Sequence, residues 1–187
     1  MLLRRLEWDE DFDPDTLTED SEDEGEVYVV LDPTWQDVWD AFARLDGWIY
    51  PSMHLSLHKR RRYPCMSIMG GPEEYAVSLD VSNGIDAEWG NKSIHYLDPR
   101  RADELYTNKA WRGVGRAYSN LEIGEVFFTP DRELVVKLID YFANTGEWHP
   151  DVPYVEEICG EFAWTDVPPT SMWGERPGQP ERQEPDV

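Results

Sequence analysis

The runs "SMHLSLHK" (52–59), "CMSIMG" (65–70) and "YAVSLDV" (75–81) lie close together in the chain, separated only by short polar or Gly-Gly connections. In the first run Met53, Leu55 and Leu57 alternate with His54, Ser56 and His58, the two-residue period of a half-buried strand. Strands joined this tightly pair antiparallel, because a parallel pair needs a crossover of about a dozen residues or more. An antiparallel sheet is therefore the element around which everything else must fit.

Further strands are expected at "VYVVL" (27–31), "IDAEW", "KSIHYL" and "EVFFT", with Gly70-Gly71, Asn83-Gly84 and Gly90-Asn91 supplying turns. Two long helices punctuate the series. In "DPTWQDVWDAFARLDG" the residues Trp35, Val38, Trp39, Phe42 and Leu45 share one face, and Gly47 marks the exit. The second follows "TPD": Leu134, Val135, Leu138, Tyr141 and Phe142 form a stripe, with Thr129 placed to cap the first turn, Pro130 at the first helical position, and Gly146, Pro150 and Pro153 ending it. A short helix is expected within "DPRRADELY" and a loop between Thr107 and Asn120. Both long helices need an apolar surface to cover. The resulting expectation is an α+β fold, an antiparallel β-sheet with two main helices packed on one face.

Charge sets the boundaries. The formal net charge is −22, and residues 7–26, "EWDEDFDPDTLTEDSEDEGE", hold twelve acids and no base. Residues 1–26 are accordingly expected to be a disordered acidic arm, 27–165 a single α+β domain, and 166–187, with five prolines, a Pro-rich tail. Outside residues 7–26 the chain still carries about −10, with 27 acids (39 less 12) against 17 bases. This sign disfavours direct contact with nucleic acid or an anionic membrane and favours a basic partner. Cys65 and Cys159 belong to no metal or redox pattern and read as thiols of a reducing compartment, with a disulfide as the alternative. "MLLRRLEWDED" lacks the apolar run of a signal peptide, and no segment approaches membrane-spanning length, so a cytoplasmic location is expected.

The search for chemistry returns weak signals. His54 and His58 have the spacing of a helical zinc pair, but on a strand they read first as a solvated face, with a metal site as the alternative. Gly113 and Gly115 in "KAWRGVGRAYSN" lack the spacing and lysine of a phosphate loop, leaving Arg112 and Arg116 as possible partner contacts. There is no GxSxG, and pairs such as Glu73-Glu74 and Glu156-Glu157 arise readily in a chain with 39 acids. "HKRRRY" (58–63) reads as a hairpin tip whose cations answer the acidic arm. Of the nine tryptophans, Trp89, Trp111, Trp148 and Trp173 fall in turns or tails, where they are either interface anchors or edge-of-core packing. No catalytic, cofactor-binding or metal-ligating residue is assigned, and no enzyme activity or cofactor is expected.

The order "VYVVLDPTWQDVWDAFARL", "CMSIMGGPEEYAVSLDV", "IGEVFFTPDRELVVKLIDYFANTGEWHPDVPYVE" resembles the immunity protein 1 family, small bacterial proteins that neutralise polymorphic toxins. The similarity covers roughly 27–157, and its hallmarks stand at Val126 to Phe128, Phe142, Thr145-Gly146, Pro150 and Tyr154-Val155. What the resemblance implies is stoichiometric occlusion of the active site of a cognate toxin domain, such as a nucleic-acid deaminase or nuclease. A second reading is an acidic decoy, a nucleic-acid mimic aimed at a basic host or phage protein.

The exposed mixture of anions and aromatic groups on strand-connecting loops makes Glu73, Glu74, Asp86, Glu88, Trp89, Trp111 and Arg112 the expected toxin-binding residues. Deletion of residues 1–26 is expected to leave the melting temperature nearly unchanged while slowing association with a basic partner.

Overall fold

The computed structural model of the protein describes residues 1–10, 26–60, 63–83, 91–105, 111–114, 121–158 and 161–163. In chain order the elements are β1 (Arg5–Glu10), β2 (Glu26–Leu31), α1 (Trp35–Arg44), β3 (Ser52–Ser56), β4 (Cys65–Gly70), β5 (Tyr75–Asn83), β6 (Asn91–Tyr96) and a 3-10 helix (Pro99–Glu104). Then come β7 (Trp111–Val114), β8 (Leu121–Gly124), a second 3-10 helix (Glu125–Phe127), β9 (Phe128–Thr129), α2 (Arg132–Thr145), β10 (Tyr154–Ile158) and β11 (Glu161–Ala163). The main sheet has nine strands in the order β11-β10-β6-β5-β4-β3-β1-β2, with β9 beside the start of β5; β7 and β8 pair separately. Every one of these pairings is antiparallel.

Register keeps the alternation in phase. Glu7 faces His54, His54 faces Ser67, Ser67 faces Ser78 and Ser78 faces His95. The neighbours of these residues turn the other way, so Leu6, Met53, Leu55, Met66, Ile68, Val77 and Leu79 meet both helices in one core. α1 contributes Val38, Ala41, Phe42 and Leu45, and α2 contributes Val135, Leu138, Ile139, Phe142 and Ala143. The protein is thus α+β, with both helices on one face of the antiparallel sheet. A smaller cluster on the opposite face joins Met69, Ala76, Leu97 and Val155 to Ile123, Val126, Phe127 and Phe128. Among the described residues no helix is long and apolar enough to cross a membrane.

Local chemistry fixes the helix ends. Thr34 and Asp37 form a reciprocal capping box at the start of α1. At the end of α2, Gly146 adopts φ 80° and donates its N–H to the Phe142 carbonyl at 2.7 Å. A Cβ there would lie 2.5 Å from Leu57 Cδ1, a side-chain tip that can shift, so it is the left-handed backbone that specifies the stop. The chain then turns back: Trp148 is buried, donates Nε1–H to the Val152 carbonyl at 3.0 Å, and delivers β10 beside β6.

Several expectations are corrected. The N-terminal residues do not all belong to an arm. β1 lies between β3 and β2, Leu6 is fully buried, and Leu2 donates its backbone N–H to the Ala143 carbonyl of α2 at 2.6 Å. "RLEWDE" alternates Leu6 and Trp8 against Glu7 and Asp9, an inside-outside pattern that its acids obscured. The expected arm segment 11–25 lies outside the described residues, as do the expected strand "IDAEW", Cys159 and the tail from 166 with Trp173. "EVFFT" is a 3-10 turn leading into a two-residue strand, because Val126 and Phe127 reach the second cluster from one helical turn. The expected 107–120 loop contains β7. The α2 cap is Asp131, which accepts from the Leu134 N–H at 3.0 Å, while Thr129 Oγ1 accepts from the Asp131 N–H at 3.1 Å. Cys65 is buried, and Lys59 of the hairpin tip pairs with Asp32.

Leu138 has no solvent exposure, so Leu138→Asp is expected to destabilise the fold by ~4 kcal/mol or more, measured by chemical denaturation. Deleting residues 1–10 is expected to abolish the cooperative thermal transition seen by circular dichroism, in place of the small effect anticipated from charge alone. An unchanged midpoint would show that β1 is dispensable.

Candidate functional site

The Gly70-Gly71 turn between β4 and β5 displays the first expected interface acids. Gly70 and Gly71 sit at φ 93° and 95°, and the Gly71 N–H closes the turn on the Glu74 carbonyl at 2.7 Å. A Cβ on Gly70 would meet that carbonyl oxygen at 2.6 Å, so the tight turn demands glycine there. Glu73 is exposed, and Glu74 is half-buried.

Glu74 lines an open cleft of about 550 Å³ together with Asp98, Arg100, Arg101, Glu125, Phe128 and Pro130. Asp98 is its anchor. Only 5% exposed, it follows β6, donates its backbone N–H to the Val126 carbonyl at 3.0 Å, and caps the first 3-10 helix by accepting from the Arg100 N–H at 3.0 Å. The same carboxylate takes Arg100 bidentately, at 3.0 Å from Nε and 2.8 Å from Nη2. The Arg100 hydrogen bond holds the Asp98 carboxyl below its ordinary pKa, and this outweighs the opposing effect of burial.

Arg101 is held just as firmly. Its Nε and Nη2 donate to Glu104 at 2.8–3.2 Å, Nη1 donates to the Glu125 carbonyl at 3.3 Å, and Nη2 reaches the Glu125 carboxylate at 3.4 Å. Both guanidinium groups are thereby committed within the fold. Glu74, Asp98 and Glu125 against Arg100 and Arg101 give the cleft lining a formal −1, and Glu104 stands behind Arg101. The cleft joins that negative rim to the apolar surfaces of Phe128 and Pro130, which suits a long cationic side chain with an apolar stem.

Of the expected interface residues, the structure brings Glu74 into this cleft, with Glu73 on the same turn. Trp111 and Arg112 lie on β7, opposite Gly124 and Ile123 of β8, and the chain continues from Gly124 directly to Glu125. Asp86, Glu88 and Trp89 lie outside the described residues. Trp148, weighed as an interface anchor, is core. Asp98, Arg100, Arg101 and Glu125 were missed, although "DPRR" carries the signal: a capping aspartate, a proline at the first helical position, and two cations in reach.

A second polar cluster occupies the sheet face away from the helices. His54 Nδ1 lies 2.8 Å from Ser67 Oγ, and its Nε2 lies 3.2 Å from Ser52 Oγ and 3.3 Å from Asp9 Oδ2. Ser52 also donates to Asp9. Three strands away, His95 Nε2 meets Glu157 at 2.8 Å, a hydrogen bond that lowers the Glu157 pKa. Carboxylate, imidazole and hydroxyl thus follow the order of a catalytic triad. Ser67, however, is 6% exposed on a strand paired on both sides, so its neighbouring backbone N–H groups serve the ladder rather than an oxyanion. Both ring nitrogens of His54 are engaged, so the half-buried histidine works as a crosslink between strands.

Asp98 yields a prediction with a definite sign. Its folded pKa is depressed, so its contribution to stability is present above the unfolded carboxyl value of about 4. That contribution is lost as pH falls through the lower folded value. Asp98→Asn is expected to reduce stability at neutral pH and to flatten the acid limb of stability against pH in denaturation series. An acid limb as steep as that of the unaltered protein would place the titrating carboxylate elsewhere.

No protein-family model, curated protein or solved structure matches the chain.

Proposed function

We propose that the protein is a stoichiometric inhibitor of the immunity type, acting in the cytoplasm by covering the active site of a basic toxin domain. The observation that carries this is the cleft beside the β4–β5 turn. Its carboxylates stand on the β4–β5 turn (Glu74), at the cap of the first 3-10 helix (Asp98) and on the second 3-10 helix (Glu125), so its charges are positioned before any partner arrives. A preorganised anionic surface loses little side-chain entropy on binding, and it offers a cationic active-site residue the place that a phosphate would take. The formal charge of −22 adds long-range attraction to a partner that itself binds polyanions. The resemblance in the α2 segment adds support, with Gly146 ending α2 and Tyr154-Val155 opening β10.

The test is protection of cells expressing the toxin-like product of a neighbouring reading frame, coupled with calorimetry of the purified pair. Glu74→Lys combined with Glu125→Lys is expected to weaken binding by roughly tenfold or more and to remove protection, while the circular dichroism spectrum stays that of the folded protein even if the thermal midpoint falls with the loss of the Arg101–Glu125 contact. Full protection by that folded double variant would move the interface away from the cleft. Equal binding to several unrelated basic proteins would replace the inhibitor by the decoy of broad specificity.

A further inference from the structure

We infer that β2 is a self-association edge, pairing antiparallel with β2 of a second copy of this chain to continue the sheet across a two-fold axis. The inference is independent of the proposed function and rests on β2 and the charges at its two ends.

β2 ends the strand order, and among the described residues no strand pairs with its outer side. Natural edge strands are normally shielded by lysine, proline, a bulge or a covering helix. β2 reads "EVYVVL", with no proline and no cation, and pairs with β1 in unbroken register from Glu26 to Leu31. On the face away from the helices it shows Val27, Val29 and Leu31, which are 58%, 44% and 53% exposed. On the other face Tyr28 stacks on Trp8 at 5.4 Å, holding the strand flat against β1.

Hydrogen-bond parity gives the strand a usable edge. Asp32 donates its N–H to the Arg4 carbonyl at 3.0 Å, so Asp32, Val30, Tyr28 and Glu26 direct their backbone groups toward β1. The groups of Val27, Val29 and Leu31 then point outward. An antiparallel copy centred on Val29 sets Val29 against its own counterpart and Val27 against Leu31, and each such pair exchanges both of its N–H···O bonds. The three exposed apolar residues become cross-strand neighbours of the same three residues in the copy.

Charge selects the direction. At the Glu26 end lie Asp9, Glu10 and Glu26, all acidic. At the Leu31 end lie Arg4, Arg5 and Lys59, with Asp32 and Glu7 as their partners. Arg4 and Lys59 keep side-chain exposures of 57% and 51%. Antiparallel pairing centred on Val29 sets Glu26 opposite the copy's Asp32, whose charge is already answered by Arg4 and Lys59, whereas parallel pairing would align the three acids at the Glu26 end with their own counterparts. The contact is a single short strand, so it falls below the ~1,200 Å² of a stable standard interface, and the dimer dissociates on dilution.

The test is sedimentation velocity of the full chain over a range of concentrations at physiological salt, with two variants. The unaltered protein is expected to shift from monomer to dimer as concentration rises. Val29→Lys is expected to weaken dimerisation at least tenfold while leaving the thermal midpoint unchanged, since Val29 lies outside the core. Val29→Cys is expected to yield a disulfide-linked dimer under mild oxidation, because directly opposed hydrogen-bonded residues stand ~5.5 Å apart at Cα; Val81→Cys, exposed on β5, serves as the uncoupled control. A protein that is monomeric at every concentration overturns the inference. So does a dimer that survives Val29→Lys, or crosslinking equally efficient at both cysteines. A monomer that loses a foreign partner on Val29→Lys would assign the edge to that partner instead.

Discussion

Both helices draw their buried stripes from one side of a single alternation, so β1, β3, β4, β5 and β6 must stay in register together. A slip of one residue in any of them would carry leucine, isoleucine and methionine side chains into the serine and histidine rows of the opposite face. That opposite face helps to prevent the slip. The contacts of His54 with Ser52, Ser67 and Asp9 tie β1, β3 and β4 together, and the Asp80–Ser93 hydrogen bond at 2.6 Å ties β5 to β6. Each polar pair adds little net energy where water is a ready competitor, but a mispaired sheet would leave half-buried imidazole and hydroxyl groups without partners. The apolar face supplies stability, and the polar face supplies uniqueness of register.

The parts of this architecture legible in the sequence were those governed by local physics. β3, β4, β5, α1 and α2 all fall where period and punctuation put them, and Gly146 stops α2 as its position after Thr145 implied. What escaped was decided by long-range pairing. β1 carries four acidic or basic groups in six residues, a composition typical of solvated chain, yet it lies inside the sheet because Leu6 and Trp8 point inward while Arg5 pairs with Glu7 and Asp9 meets Ser52. Likewise "EVFFT" has strand composition, but its buried positions are served better by a tight 3-10 turn against Met69 and Leu97. The site was half legible for the same reason. A turn that displays Glu73 and Glu74 is a local matter, whereas the proximity of Glu74 to Asp98 and Glu125 depends on where β6 and β9 meet β5.

Electrostatics in this protein work at two ranges. Close in, many of the cations that the structure describes have an assigned carboxylate: Arg4 and Lys59 with Asp32, Arg5 with Glu7, Lys92 with Glu156, Arg100 with Asp98, and Arg101 with Glu104, while Arg44 and Arg132 lie over the rings of Trp8 and Phe42. Most of these pairs are partly exposed and individually contribute little to stability. Their effect is to use up the positive charge locally, so that the excess of acids is felt at distance with few basic patches to interrupt it. At long range the net negative charge dominates, and ionic strength should tune how quickly a basic partner arrives more than how long it stays.

The cleft and the β2 edge are far enough apart to operate together. β3 and β1 intervene between β4, whose turn forms one wall of the cleft, and β2, a separation of roughly 14 Å at ordinary strand spacing. A two-fold axis at β2 would leave both copies of the cleft at the flanks of the dimer, each open to a partner. Net charge sets the limit on such an assembly, because two chains of −22 repel each other even where the strand edges pair. A basic protein bound in each cleft would reduce that repulsion, so partner binding and β2 pairing should favour one another through the field alone, without any conformational change passing between the two surfaces.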